Sequence, residues 1–167
     1  LRDFARHVVR VEAKSGRETL AVEKTAAGQW CVRGAGRTLI FTITVYALDQ
    51  SVRGAYLDRT RGFFNGPCVF VLPEGRDAEE IEVTLEPPPQ SLCEDWQVAT
   101  AMTAGEVDDR RFGVYSAQNY DELLDHPVAH HRDAVRHGPR LAPVGGDGDE
   151  GDAHFALDGA QLVAHVL

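Results

Sequence analysis

The chain lacks most of the signatures by which a small enzyme announces itself. It has no His-Glu-x-x-His, no Gly-x-Ser-x-Gly and no glycine-rich phosphate loop between a strand and a helix. Its three cysteines, Cys31, Cys68 and Cys93, are odd in number, widely spaced and never paired as Cys-x-x-Cys. That pattern argues against a disulfide framework and against a thiolate zinc site. Basic charge is also scarce: 17 Lys and Arg stand against 26 Asp and Glu, a net charge of −9. Nucleic-acid binding by counterion release needs clustered cations, so no nucleic-acid partner is expected. No apolar run approaches the roughly 18 residues of a membrane-spanning helix, and no leader peptide is visible, so no membrane partner is expected either. The buried character of the thiols leans toward a reducing compartment, the cytoplasm, with periplasm or secretion left open. The chain opens on Leu1 rather than Met, and the expectation is that it is cut from a larger protein.

What is present reads as strands. A hydrophobic fraction of 43% supports a packed core. Val9, Val11 and Ala13 alternate with Arg10, Glu12 and Lys14, and Ser15-Gly16 marks a turn. Short strands follow at Leu20–Val22 and Trp30–Val32, then the longest expected strand, Thr38 to Leu48. Further strands are expected at Gly54–Leu57, Cys68–Leu72, Glu80–Glu86, Trp96–Thr100 and Arg111–Ser116. Asn119 or Ser116 caps a helical turn over Tyr120–Leu124 that Pro127 stops. The fold class is therefore mainly β, an antiparallel β-sandwich with one or two short helices. Residues 1–128 form the sandwich, 129–153 a polar, partly mobile loop, and 154–167 a closing strand or short helix of the same domain.

Few residues invite chemistry. His126, His130, His131, Asp133 and His137 cluster, and on a helix His126 and His130 would be neighbours able to share a metal. Pro127 and the missing glutamate set the group apart from a metallopeptidase helix, and a polar surface segment is the reading preferred. The acidic run Asp147–Asp152 fails the calcium-loop pattern, since Gly151 stands where the third ligand belongs. No catalytic or metal-binding residue is assigned. The unusual segment is Gly62-Phe63-Phe64-Asn65-Gly66-Pro67, expected as a loop: adjacent aromatics in extended chain cannot both face one core. Phe63, Phe64 and Asn65 are thus the candidates for a contact with another domain or for the rim of a substrate cleft. Arg53 and Asp58 read as a strand-edge ion pair, and Trp30 and Trp96 as core.

The order of several blocks carries a resemblance. His7-Val8-Val9, Trp30, Val45-Tyr46-Ala47, Ser51-Val52-Arg53, Tyr56-Leu57-Asp58, Gly62–Gly66, Trp96–Thr100 and Tyr120-Asp121-Glu122-Leu123-Leu124-Asp125-His126-Pro127 resemble the N-terminal region of the glycyl aminopeptidase family, over about residues 6–128. That family comprises zinc metallopeptidases that often carry a PDZ domain. The resemblance implies a non-catalytic β domain that packs beside its own catalytic domain and helps wall the cleft for a peptide substrate. No cofactor is implied in this chain; zinc is expected in the catalytic domain of the parent protein. The competing reading is a stand-alone β-sandwich module that binds protein or carbohydrate, which exposed coplanar aromatics on one sheet face would favour.

Overall fold

The computed structural model describes residues 4–88, 95–131 and 162–166, the last as backbone only. In chain order the elements are β1 (Val8–Ser15), β2 (Glu18–Leu20), β3 (Val22–Ala26), β4 (Gln29–Val32), β5 (Leu39–Val45), β6 (Ala55–Leu57), β7 (Arg61–Phe64), β8 (Ile81–Leu85), β9 (Gln97–Thr100), β10 (Thr103–Val107), β11 (Gly113–Ala117), α1 (Tyr120–Asp125), β12 (Val128–His131) and β13 (Leu162–Val166). Single turns of 3₁₀ helix cover Phe4–His7 and Gly66–Cys68. The strands build sheets in the orders β13-β5-β1-β2, β6-β7-β12-β9 and β10-β11-β8, plus the hairpin β3-β4. Every pairing among the described residues is antiparallel. The fold is a mainly β, antiparallel sandwich with few short helices, as expected.

The main core lies between the β6-β7-β12-β9 and β10-β11-β8 sheets. It joins Phe70, Leu85, Trp96, Val98, Phe112 and Tyr115, with Leu123 of α1 and Val128 of β12. β8 shows the cause in miniature: Val83 and Leu85 are buried while Glu82 and Thr84 between them are exposed. The helix starts where its cap dictates. Asn119 accepts a hydrogen bond from the Glu122 N–H at 2.9 Å, and the Glu122 carboxylate accepts from the Gln118 N–H at 2.7 Å.

Five expectations need correction. Cys68–Leu72 is not a strand: Pro67 and the 3₁₀ turn consume its start, and Gly66 lies so close to α1 that a Cβ there would stand 2.9 Å from the Leu124 Cα. β7 occupies Arg61–Phe64, where a loop was expected. β12 continues as paired strand to His131, past the point where the polar loop was expected to begin. The Val9 alternation fails as well. The β1–β5 pairing shifts by one residue between Val8 and Arg10, so Val9 has no partner on β5 and is 69% exposed. Nor is β5 the longest strand, because its pairing with β1 ends at Val45.

The β10–β11 turn is held by Asp108, whose carboxylate accepts from the N–H groups of Arg110 at 2.9 Å and Phe112 at 2.8 Å. Arg111 follows at φ 65° and Gly113 at φ 138°. A Cβ on Gly113 would fall 2.2 Å from the Glu106 carbonyl oxygen. Gly113→Ala should therefore cost about 3 kcal/mol, backbone strain and overlap combined. Gly75→Ala, at φ 82° with open space around it, should cost only about 1 kcal/mol. Urea denaturation of both variants checks this; equal losses would remove the overlap from the account.

Candidate functional site: the two faces of the β6-β7-β12-β9 sheet

The aromatic pair Phe63-Phe64 sits on β7, an inner strand flanked by β6 and β12. Strand alternation sends the two side chains to opposite faces. Phe64 pairs in register with Ala55 and Val128 and packs against the main core, its ring 5.8 Å from that of Phe70 in an edge-on contact. Phe63 belongs to the other face. Its row runs across the sheet from Leu48, bridged to Tyr56, through Phe63 and Ala129 to Ala99. Tyr56, Phe63, Ala129 and Ala99 are half-buried, whereas Leu48 is 58% exposed. Tyr46 at 58% and Val52 at 59%, on either side of Leu48 in sequence, are exposed too. Leu48 gives no sign of this in the sequence, and only its bridge to Tyr56 joins it to the Phe63 row.

Asn65 closes the strand. Its N–H donates to the Gly54 carbonyl at 3.1 Å and its carbonyl accepts from the Cys68 N–H at 2.9 Å. The Cys68 thiol donates to the Arg53 carbonyl at 3.4 Å, and burial pushes its pKa up, so it remains a protonated, inert filler. Trp96 is buried and Trp30 is half-buried against Phe41, their rings 6.0 Å apart. Neither indole offers an exposed platform.

A polar clamp orders the β6–β7 hairpin. One Asp58 oxygen accepts from the Thr60 N–H at 2.6 Å, the Thr60 hydroxyl at 2.7 Å and the Arg61 N–H at 2.9 Å; the other accepts from the Tyr56 phenol at 2.8 Å. Burial pushes the Asp58 carboxyl up, but these hydrogen bonds outweigh it and hold the group below its ordinary value. The Tyr56 phenol is correspondingly raised, chiefly by its bond to Asp58. The Arg61 guanidinium lies 4.9 Å from the centre of the Tyr56 ring. The expected Arg53–Asp58 ion pair does not form: Asp58 is committed to Tyr56, Thr60 and Arg61.

The histidines part company. His126 caps α1 at its C-terminal end, and β12 begins two residues later, so no helix brings His126 and His130 together. His130 and His131, adjacent on a strand, point to opposite faces. Asp133 and His137, like the acidic run at 147–152, lie outside the described residues. Among the described residues no three His, Cys, Asp or Glu side chains converge as metal ligands. His130 is instead a core residue. Its ring stands 5.6 Å from Phe112, 6.0 Å from Trp96 and 6.3 Å from Phe64. Its Nε2 is buried without a hydrogen-bond partner, and burial pushes its pKa down to about 4.

The sign of the consequence follows. The folded chain holds His130 neutral while the unfolded chain protonates it near 6.5, so unfolding takes up a proton between these values. The contribution is whole above pH 6.5 and is lost as the pH falls toward 4. The shift amounts to on the order of 3 kcal/mol. His130→Leu should flatten the stability–pH curve across that window relative to the parent sequence, read by denaturant melts at pH 7 and pH 4.5. Parallel curves would place the acid sensitivity elsewhere.

Comparison with known proteins follows from this geometry. The family model described as the Peptidase M61 N-terminal domain matches residues 1–130. Among solved structures, the crystal structure of an aminopeptidase N family protein from Idiomarina loihiensis is similar, with a TM-score of 0.73 and 33% identity. The similarity covers 78% of this chain and 22% of that one, so this chain spans well under half of its length. No curated protein matches.

Proposed function

The chain belongs to the peptidase M61 N-terminal domain family, and on that premise we propose that it is the non-catalytic β domain of a zinc-dependent aminopeptidase. In this reading the parent is of the glycyl aminopeptidase type. Its zinc helix and PDZ domain belong to other parts of the polypeptide, and its peptide substrate is held in a cleft that this domain helps to wall. The observation that carries the reading is the row Leu48–Tyr56–Phe63 on the outer face of the sheet, which ends at the exposed Leu48. Exposed apolar side chains gathered at one place mark a docking surface. An order of magnitude supports it: each large side chain taken fully out of water contributes roughly 1.5–3 kcal/mol.

The sheet divides the roles of the three candidate residues. Phe63 offers its ring to the partner surface, Asn65 sets the corner where β7 ends, and Phe64 supports both from the core. The Asp58 clamp and the Arg61 guanidinium keep Tyr56 beside Phe63. A cleft wall built this way is rigid, because the side chains that face the substrate side stand on a paired inner strand rather than on a loop.

A pair of variants tests this. Phe63→Ser should cost the 167-residue chain about 1 kcal/mol, because the ring is only partly covered on its inner strand. In the full peptidase it should raise KM or lower the temperature at which the domains separate. Phe64→Ala should destabilise chain and peptidase alike, by about 3 kcal/mol. Kinetics and melting of the peptidase unchanged by Phe63→Ser would overturn the docking role.

A further inference from the structure

A groove of about 180 Å³ lies between the first half of β1 and one side-chain face of the β3-β4 hairpin. On the side away from β5, β2 covers β1 only at Ala13, Lys14 and Ser15, and Val8, Val9, Arg10 and Val11 border the groove. A regular strand would turn every second side chain away, and the bulge at Val9 breaks that alternation. The other wall is the hairpin face that carries Val22, Lys24 and Trp30, where Lys24 pairs in register with Trp30. Phe41 steadies the indole, its ring centre 6.0 Å away. The two cations of the lining differ. Arg10 is committed to Glu12 at 2.7 Å. Lys24 enters no ion pair among the described residues. Its neighbour Glu23 alternates to the opposite face of the hairpin, where Arg33 lies 3.9 Å away.

We infer that this groove binds a small carboxylate carried on a branched or ring-bearing apolar body, the chemistry shared by the C-terminal residue of a peptide and by a free short-chain acid. Volume decides the size class. Drug-sized ligands fill pockets of roughly 300–1,000 Å³, so this groove takes about one side chain's worth of ligand. The lining decides the apolar half: Val8, Val9, Val11, Val22 and Trp30 offer a body to lie against, and Val9, 69% exposed, gains the most cover from it. Lys24 decides the sign. Its methylene stem continues the apolar wall while its ammonium stays at the rim without a carboxylate of its own. An anion there is held more firmly than in open water, because the valines and the indole displace solvent on one side. The net charge of −9 repels anions at long range, but salt screens it beyond about 8–10 Å and leaves the local cation in control. The groove shares no residue with the Phe63 face, so the inference is independent of the docking reading.

Titration of the 167-residue chain with acetyl-alanyl-leucine, its C-terminal amide and isocaproate, followed by NMR, tests it. The chain's two tryptophans supply site and control in one spectrum. The Trp30 indole N–H should shift, and that of Trp96, buried in the core, should stay. Dissociation constants on the order of millimolar are expected for so small a site. The amide should bind about threefold more weakly than the acid, as for loss of one exposed ion pair. Lys24→Met, which keeps the stem and removes the charge, should bring the acid down to the level of the amide. Tighter binding of the peptide than of isocaproate identifies a peptide C-terminus as the ligand; the reverse identifies a free acid. Equal binding of acid and amide overturns the inference, as does a Trp30 signal unmoved at millimolar probe. A loss in Lys24→Met no larger than in Lys14→Met, an exposed lysine outside the groove, overturns it too.

Discussion

The indole of Trp96 and the bare backbone of Gly62 form the contact on which the larger sheet depends. A Cβ on Gly62 would stand 3.1 Å from Leu57 and 3.2 Å from the Trp96 ring, so the bare glycine lets the indole lie close against the strand without displacing either side chain. With Trp96 seated there, β12 must place a flat side chain opposite, and His130 fills that position between Trp96, Phe112 and Phe64. The histidine satisfies the shape of the pocket and not its own hydrogen bonding. Its buried Nε2 without a partner is the cost of placing an imidazole among these rings. Once β7 and β12 are fixed by this core, Phe63 has only the outer face left.

The same alternation explains why adjacent aromatics occur at all. One face of the sheet is the lid of the domain's core and the other carries the partly covered row of Tyr56 and Phe63, so β7 needs apolar side chains on both faces. Phe63-Phe64 is that requirement written in two residues. The Asp58 clamp belongs to the same logic. Its carboxylate ties down the hairpin end with hydrogen bonds from Thr60, Arg61 and Tyr56, which leaves the apolar row ordered before any partner arrives. Ordering in advance lowers the entropy that docking would otherwise consume.

Legibility in the sequence tracked how local the deciding force was. β8 was readable because Ile81, Val83 and Leu85 alternate with Glu and Thr, and both faces of that strand have fixed fates. α1 was readable because Asn119 and Glu122 are a local capping signal. β7 was not, because Gly62 and the Asn65-Gly66 pair look like loop chemistry until Trp96 is known to lie against them. β12 was hidden by His130 and His131, whose polarity suggested surface; His131 is indeed exposed, but His130 is drawn in by rings from across the core. That Phe63 and Phe64 cannot share one core was legible from their adjacency; which ring faces the core was not, because the pairing of β7 with β6 and β12 decides it. Leu48, Tyr46 and Val52 carried no signal, since single apolar residues are ordinary on any surface. Only the Leu48–Tyr56 bridge places Leu48 at the end of the Phe63 row.

The two unfinished features, an apolar row on one sheet and an open edge on another, have a common thermodynamic meaning. Whatever covers them binds the folded domain and not the unfolded chain, so it adds to the stability of the fold by mass action. Within one polypeptide the covering surface is always at hand, and the domain need not be strongly stable by itself. This accounts for the tolerance of features that weaken it alone: a buried imidazole without a hydrogen bond, a bulge at Val9, and β2 covering only the end of β1. A free-standing module would be selected to blunt such an edge and to exchange Leu48 and Val52 for polar residues, because both invite aggregation. Leu48 and Val52 on the surface and the partly covered β1 are features that a neighbouring surface would protect, which agrees with membership of a peptidase N-terminal domain family.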